Sequence, residues 1–260
     1  MLYRASNGYQ GLTTPSEIWA ADLDSGQTEE VLPGTQAIFY DLSSDGRLLV
    51  CTLDSAGKPH IWLAPLDRRS PPRQIGSAEA MQALFGPPGV IFFVASEGTA
   101  KYLFEIREDG TGLRKISKDQ IIELQAVSPH GQWVSGWHSV PGGGAGMLVA
   151  AYPTDGGAPI PVCEPPCTLK WAPDGKYVYL SKPHGFTSAG AVGRTYVLPT
   201  RRATMLPDLP AGGFRSEADL AAAPGVRVIE AADVGPSATP EVYVFSREMT
   251  QRNLYRIPLR

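Results

Sequence analysis

The chain has 260 residues, 43% of them hydrophobic and 19% charged, and its 28 glycines and 24 prolines make one residue in five, against roughly 12% in average usage. Such a chain turns often, and its apolar content excludes a disordered polypeptide. An uninterrupted apolar run such as Val90–Ala95 falls far short of the about 20 residues a bilayer-crossing helix needs, and a formal net charge of −3 argues against a general phosphate-backbone binder; no membrane span and no nucleic acid contact are expected.

The chain opens with three strand-like segments, Leu2–Ala5, Glu17–Leu23 and Thr28–Leu32. It then repeats one pattern four times: a short apolar strand, a tight turn ending in glycine, and a strongly apolar strand. The four copies are Phe39–Val50, Ala83–Phe93, Gln125–Val134 and Leu169–Val178, and their turn glycines, Gly46, Gly89, Gly131 and Gly175, stand 43, 42 and 44 residues apart. Glycine suits these turns because positive φ costs it nothing. A third strand follows each copy (His60–Leu66, Tyr102–Ile106, Met147–Tyr152, Thr195–Leu198), and a weaker fourth closes it (Arg73–Ile75, Leu113–Ile116, Ile160–Val162, Thr204–Leu206). The segment 211–225 reads as an insertion with a short helix near 216–223, because Ser216 can cap it, acidic residues fill its first turn and Pro224-Gly225 stops it. Three last strands follow at Val226–Glu230, Val242–Ser246 and Asn253–Leu259. An alternative register makes Val226–Glu230 the second strand of this last unit.

Four strands in each 40 to 45 residues is the blade of a β-propeller. The expected fold is all-β: a six-bladed β-propeller of four-stranded antiparallel blades, with complete blades at 35–78, 79–118, 119–164 and 165–210 and partial ones at 1–34 and 226–260. The first blade lacks its innermost strand and the last its outermost, strands that a segment upstream in a longer polypeptide would supply. The piece alone is then expected to be less stable, or more prone to associate, than a version extended upstream.

The turns Ala172-Pro-Asp-Gly175, Ser128-Pro-His-Gly131 and Ser43-Ser-Asp-Gly46 resemble the Ser-Pro-Asp-Gly turn of TolB-like, WD-repeat-like propeller repeats, and the resemblance covers most of the chain. The ending Gln251–Leu259 is similar to the end of bacterial TolB-like propellers that follow a protein kinase or winged-helix domain. His130 in place of aspartate and Pro87-Pro88 depart from the repeat without changing the fold it implies. The resemblance implies an interaction or sensory module, with a protein or peptide partner and a covalently attached upstream domain of kinase or winged-helix type.

Candidate chemistry is sparse. No Gly-x-Ser-x-Gly elbow is present, Gly142–Gly146 lacks the lysine and hydroxyl of a phosphate loop, and no acidic calcium-binding loop occurs. No cofactor and no metal are expected. Cys163 and Cys167 flank a Pro-Pro turn that could bring their thiols together as a disulfide under oxidising conditions, or leave two free thiols; no second Cys or His pair has the spacing of a zinc site. Cys51 lies in an apolar strand and reads as a buried small hydrophobe.

His60, His138 and His184 fall near loops joining second and third strands, which share one face of a ring and would form a polar rim. The innermost strands line the central channel with Asp41, Gln82, Glu123, Gln125, Thr168 and Lys170, a mixed set suited to water or a small polar ligand. Two function classes stand: a non-catalytic propeller that binds a protein or peptide, and an enzyme or enzyme-associated propeller, such as a polysaccharide lyase or a peptidase-associated domain, with its site at the mouth. The first is favoured, because the histidines sit on separate loops. The expected recognition face is built from the loops Asn7–Ser16, Ser139–Gly146 and Lys182–Arg194, with Trp137, His138 and His184 near its surface.

Overall fold

The computed structural model describes residues 2–5, 14–22, 24–55, 57–139, 147–187, 190–237 and 239–245. Among these residues it is all-β, with six antiparallel sheets in chain order and one short helix. The first sheet is β1 (Leu2–Ala5), β2 (Glu17–Ala21) and β3 (Thr28–Glu30). The second is β4 (Ala37–Leu42), β5 (Leu48–Ser55), β6 (Lys58–Pro65) and β7 (Arg73–Gln74). The third is β8 (Ala80–Phe85), β9 (Val90–Glu97), β10 (Ala100–Arg107) and β11 (Arg114–Lys115). The fourth is β12 (Ile121–Val127), β13 (Trp133–Ser139), β14 (Met147–Pro153) and β15 (Ile160–Cys163). The fifth is β16 (Thr168–Trp171), β17 (Tyr177–Thr187), β18 (Gly190–Pro199) and, after helix α1 (Glu217–Ala221), β19 (Arg227–Ile229). The sixth is β20 (Gly235–Pro236) with β21 (Tyr243–Val244). This is the six-bladed propeller the repeat predicts, with its first and last blades incomplete among the described residues.

The apolar cores lie between successive sheets. Along β9, Ile91, Phe93 and Ala95 pack toward the second sheet, while Phe92 and Val94 pack toward the fourth. A strand buried on both faces reads as a continuous apolar run, which explains Val90–Ala95. The same two-sided packing recurs on β14, where Val149 and Ala151 face the fifth sheet and Ala150 and Tyr152 the third.

Each repeat turn is closed alike. Gly46, Gly89, Gly131 and Gly175 all have positive φ, at 69°, 84°, 67° and 69°. The residue leaving each third strand then donates back to the turn: Leu66 N–H to Arg47 O, Glu108 to Gly89, Thr154 to Gln132 and Thr200 to Lys176. Outer strands are tied to the next sheet by arginine. Arg73 donates to Glu108 O at 2.5 Å and Arg114 to Thr154 O at 3.1 Å, so these charges brace the rim as well as guarding an edge.

The fifth sheet corrects the sequence reading. Its outer strand is β19, which pairs with β18 through Thr195–Ile229, Tyr196–Val228 and Val197–Arg227. Thr204–Leu206 instead forms a turn, in which Met205 N–H donates to Arg201 O and Met205 and Leu206 are buried; apolar side chains there serve the core without a ladder. The insertion therefore lies inside the fifth blade, between its third and fourth strands. Val226–Glu230 is not an inner strand of the last blade, since its β19 pairs with β18; the sixth sheet begins at β20. Asn253–Leu259 lies outside the described residues.

The insertion is well anchored. Ser216 accepts from Asp219 N–H while the Asp219 carboxylate accepts from Ser216 N–H, a reciprocal cap on α1. Phe214 N–H donates to Val162 O at 2.7 Å and Glu164 N–H to Phe214 O at 2.9 Å, and Leu220 is buried in the core between the fourth and fifth sheets. The loop thereby covers the outer edge of β15, an edge otherwise open to another chain.

Candidate functional site

Three polar residues of the inner strands have a common use, whereas the Thr168 hydroxyl is buried without a hydrogen bond. The carboxylate of Asp41 on β4 accepts from Phe85 N–H on β8 at 2.8 Å, the side-chain oxygen of Gln82 on β8 accepts from Leu124 N–H on β12 at 2.6 Å, and that of Gln125 on β12 accepts from Leu169 N–H on β16 at 2.9 Å. Each blade thus reaches to the backbone of the next, 44, 42 and 44 residues on. Gln125 also donates through Nε2 to Cys167 O at 3.1 Å. Lys170 continues the ring by pairing with Asp233 at 2.6 Å, and Asp233 N–H donates to Ser181 Oγ at 2.7 Å. Inner strands offer backbone groups toward their neighbours that the ladder leaves unused, and these side chains satisfy them.

Burial raises the carboxyl of Asp41, against the lowering effect of the Phe85 and Leu42 amides. Burial also raises Glu123, offset by a hydrogen bond with the Gln82 side chain and by the charge of Lys101. A carboxyl whose folded value lies above its unfolded one favours the fold at low pH and loses that contribution as pH rises through the folded value. Asparagine keeps an acceptor for Phe85 N–H and carries no charge. Asp41→Asn is therefore expected to melt at the same temperature as the parent or a few degrees higher at neutral pH, with the difference vanishing below the carboxylate range. A pH series of thermal melts reads this, and a variant less stable than the parent at neutral pH would contradict it.

The three residues expected at the rim do not converge. Trp137 and His138 are consecutive on β13 and so leave opposite faces of the sheet. Trp137 is half-buried against the core between the fourth and fifth sheets, and its Nε1 is buried without a hydrogen bond. His138 is half-buried on the side of the third sheet, where Nδ1 lies 2.9 Å from the Tyr152 hydroxyl. His184 is exposed on β17. His60 lies on β6, with Nδ1 3.3 Å from Ala78 O. The segments 7–13 and 140–146 of two expected recognition loops lie outside the described residues. The third, Lys182–Arg194, is mostly ladder: β17 and β18 remain paired from Tyr177–Pro199 out to Thr187–Gly190, with a bulge between Pro183 and Gly185.

Cys163 and Cys167 are disulfide-bonded, and both are buried in the core between the fourth and fifth sheets. Cys51 is a free thiol, pushed up to about 12 by burial, which makes it an inert core residue. Among the described residues no three His, Cys, Asp or Glu side chains stand together as metal ligands, and no helix is long and apolar enough to cross a membrane.

No protein-family model matches the chain. Over 112 residues, 42% of its length, the chain is 30% identical to the Tol-Pal system protein TolB of Anaeromyxobacter dehalogenans strain 2CP-C, of which this stretch covers 25%. The matched region thus spans about a quarter of the length of the curated relatives. Among solved structures, TolB from Acinetobacter baumannii superposes with a TM-score of 0.56 at 17% identity, covering 71% of this chain and 46% of that one. A putative TolB from Agrobacterium tumefaciens gives 0.55 at 16% identity, covering 70% of each. A chain of the nidogen/laminin complex gives 0.54 at 14%, covering 91% of this chain and 80% of that one. At these identities the structural likeness shows the fold alone. In repeat sequence and in fold, this chain is similar to the TolB-like β-propellers.

Proposed function

We propose that the chain is a non-catalytic propeller that binds a protein or peptide, and that the β17–β18 hairpin is a rigid part of its recognition face. The observation that carries this reading is the hairpin's bracing. β17 runs for 11 residues, where the second strands of the preceding three sheets run for 8, 8 and 7. At about 3.3 Å per residue, the hairpin projects roughly 10 Å further. Its base is fixed from three sides. The buried Lys182 ammonium donates to Glu164 O at 2.6 Å, Arg194 pairs with Glu230 at 2.9 Å, and the Tyr196 hydroxyl donates to Glu217 at 2.7 Å. Above this base, His184 and Val192 are exposed. Binding residues on a projection held by a rigid scaffold lose little freedom on association. The inner strands support the same reading, since the Asp41, Gln82 and Gln125 side chains are committed to the ring. The relatives named Tol-Pal system proteins, and a structural neighbour solved as a nidogen/laminin complex, are assembly components by those names.

The test uses the full chain, immobilised and screened against a displayed random-peptide library. Replacing residues 184–192 by Asn-Gly joins the paired Pro183 and Gly193 through a two-residue turn. Peptides selected on the parent should lose at least tenfold in affinity for this variant, while the melting temperature and far-UV spectrum stay nearly unchanged. Undiminished binding would place recognition elsewhere. Turnover of a peptide or glycan by the purified chain would replace the binding reading with an enzymatic one.

A further inference from the structure

Tyr152 is fully buried between the third and fourth sheets, and its hydroxyl is the junction of two hydrogen bonds. The hydroxyl donates to Gln120 O at 2.7 Å and lies 2.9 Å from His138 Nδ1. A phenol has one hydrogen, and a backbone carbonyl can only accept. Both contacts are therefore hydrogen bonds only when the phenol hydrogen goes to Gln120 and His138 Nδ1 carries a hydrogen of its own. The opposite tautomer either sets two lone pairs against each other or takes the phenol hydrogen and leaves the Gln120 carbonyl without it, and losing one such bond in a buried place is costly. Burial and the nearby Asp119 charge raise the Tyr152 hydroxyl, which keeps it protonated.

We infer that Tyr152 is a positioning residue that fixes His138 as the Nδ1–H tautomer, so that the ring presents Nε2 as an unprotonated hydrogen-bond acceptor near the C-terminal end of β13. Nε2 has no hydrogen-bond partner among the described residues. An acceptor held in this way takes an N–H or O–H donor, such as a backbone amide of an extended peptide, and discriminates against a carbonyl or carboxylate. The identity of that donor rests on the binding reading above; the tautomer does not.

The experiment is a long-range ¹H–¹⁵N correlation spectrum of the histidine-labelled full chain, at a pH where the imidazoles are neutral. His138 should show a protonated Nδ1 and an unprotonated Nε2, with exposed His184 as internal reference. In Tyr152→Phe, which keeps the ring in the core, His138 should redistribute between tautomers. A wild-type His138 carrying its hydrogen on Nε2, or mixing the two forms, overturns the inference, and this reading needs no variant. An Nδ1–H ring that persists in Tyr152→Phe overturns the positioning role. A peptide selected on the parent chain should shift the Nε2 signal and leave Nδ1 in place. Binding without that shift overturns the acceptor role, whereas failure to select any peptide counts against the binding reading and leaves the free-chain spectrum to decide the tautomer.

Discussion

Gln125→Leu is expected to destabilise the chain by about 2–6 kcal/mol, because it removes two hydrogen bonds from one inter-blade seam. Leucine nearly fills the space but neither accepts from Leu169 N–H nor donates to Cys167 O. Each buried backbone group left without a partner costs about 1–3 kcal/mol. In a domain of this size 1 kcal/mol moves the melting temperature by roughly 2–4 °C. Gln82→Leu orphans one backbone group, Leu124 N–H, and should cost about half as much. Equal melting temperatures for the parent and Gln125→Leu would show that the seam does not depend on this clasp.

Gly131→Ala should be the most damaging of the turn-glycine substitutions. Gly131 and Gly46 have nearly the same φ, 67° and 69°, so an alanine pays a similar backbone cost at either, about 1–2 kcal/mol. The surroundings differ. At Gly46 an added Cβ meets open space, whereas at Gly131 it overlaps the ring of Pro87, which belongs to the turn of the third sheet. Proline cannot swing aside, and forcing apart packed elements costs a further 1–3 kcal/mol or so. At Gly175 the obstructing atom is the terminal methyl of Met205, a flexible side chain, so Gly175→Ala should fall between the two. Chemical denaturation of the three variants reads the order Gly46→Ala, Gly175→Ala, Gly131→Ala; a Gly131→Ala no worse than Gly46→Ala would contradict the tight approach of the two turns.

The fold was legible because its repeat is written in local chemistry. Turn glycines at positive φ, with strongly apolar strands on either side, locate the four complete blades without any long-range information. The fifth blade's outer strand was not legible, for a physical reason. Thr204–Leu206 and Val226–Glu230 are both short apolar stretches, and their side chains are wanted by the core in either case; only the ladder to β18 tells a strand from a buried turn. The inner-strand polar residues were visible as a set, and their spacing already matched the blade period. Their role was not, since it depends on which backbone amide lies across the next seam. Trp137 reads as a rim residue from its closeness to a loop, whereas strand alternation turns it toward the core, opposite His138. The Tyr152–His138 contact joins strands through a side chain lying along the sheet, and nothing in the linear pattern marks it.

The central claim is that Asp41, Gln82 and Gln125 on the inner strands hold the ring together, each blade to the next. Amide hydrogen exchange on the full chain measures this residue by residue. In the parent, the amides of Phe85, Leu124 and Leu169 should be protected. In Asp41→Ala, Gln82→Ala and Gln125→Ala, protection should fall at Phe85, Leu124 and Leu169 respectively, one blade beyond each substitution, while the ladders of the substituted blades stay protected. Amides that remain protected in all three variants, or protection lost only within the substituted blade, would contradict it.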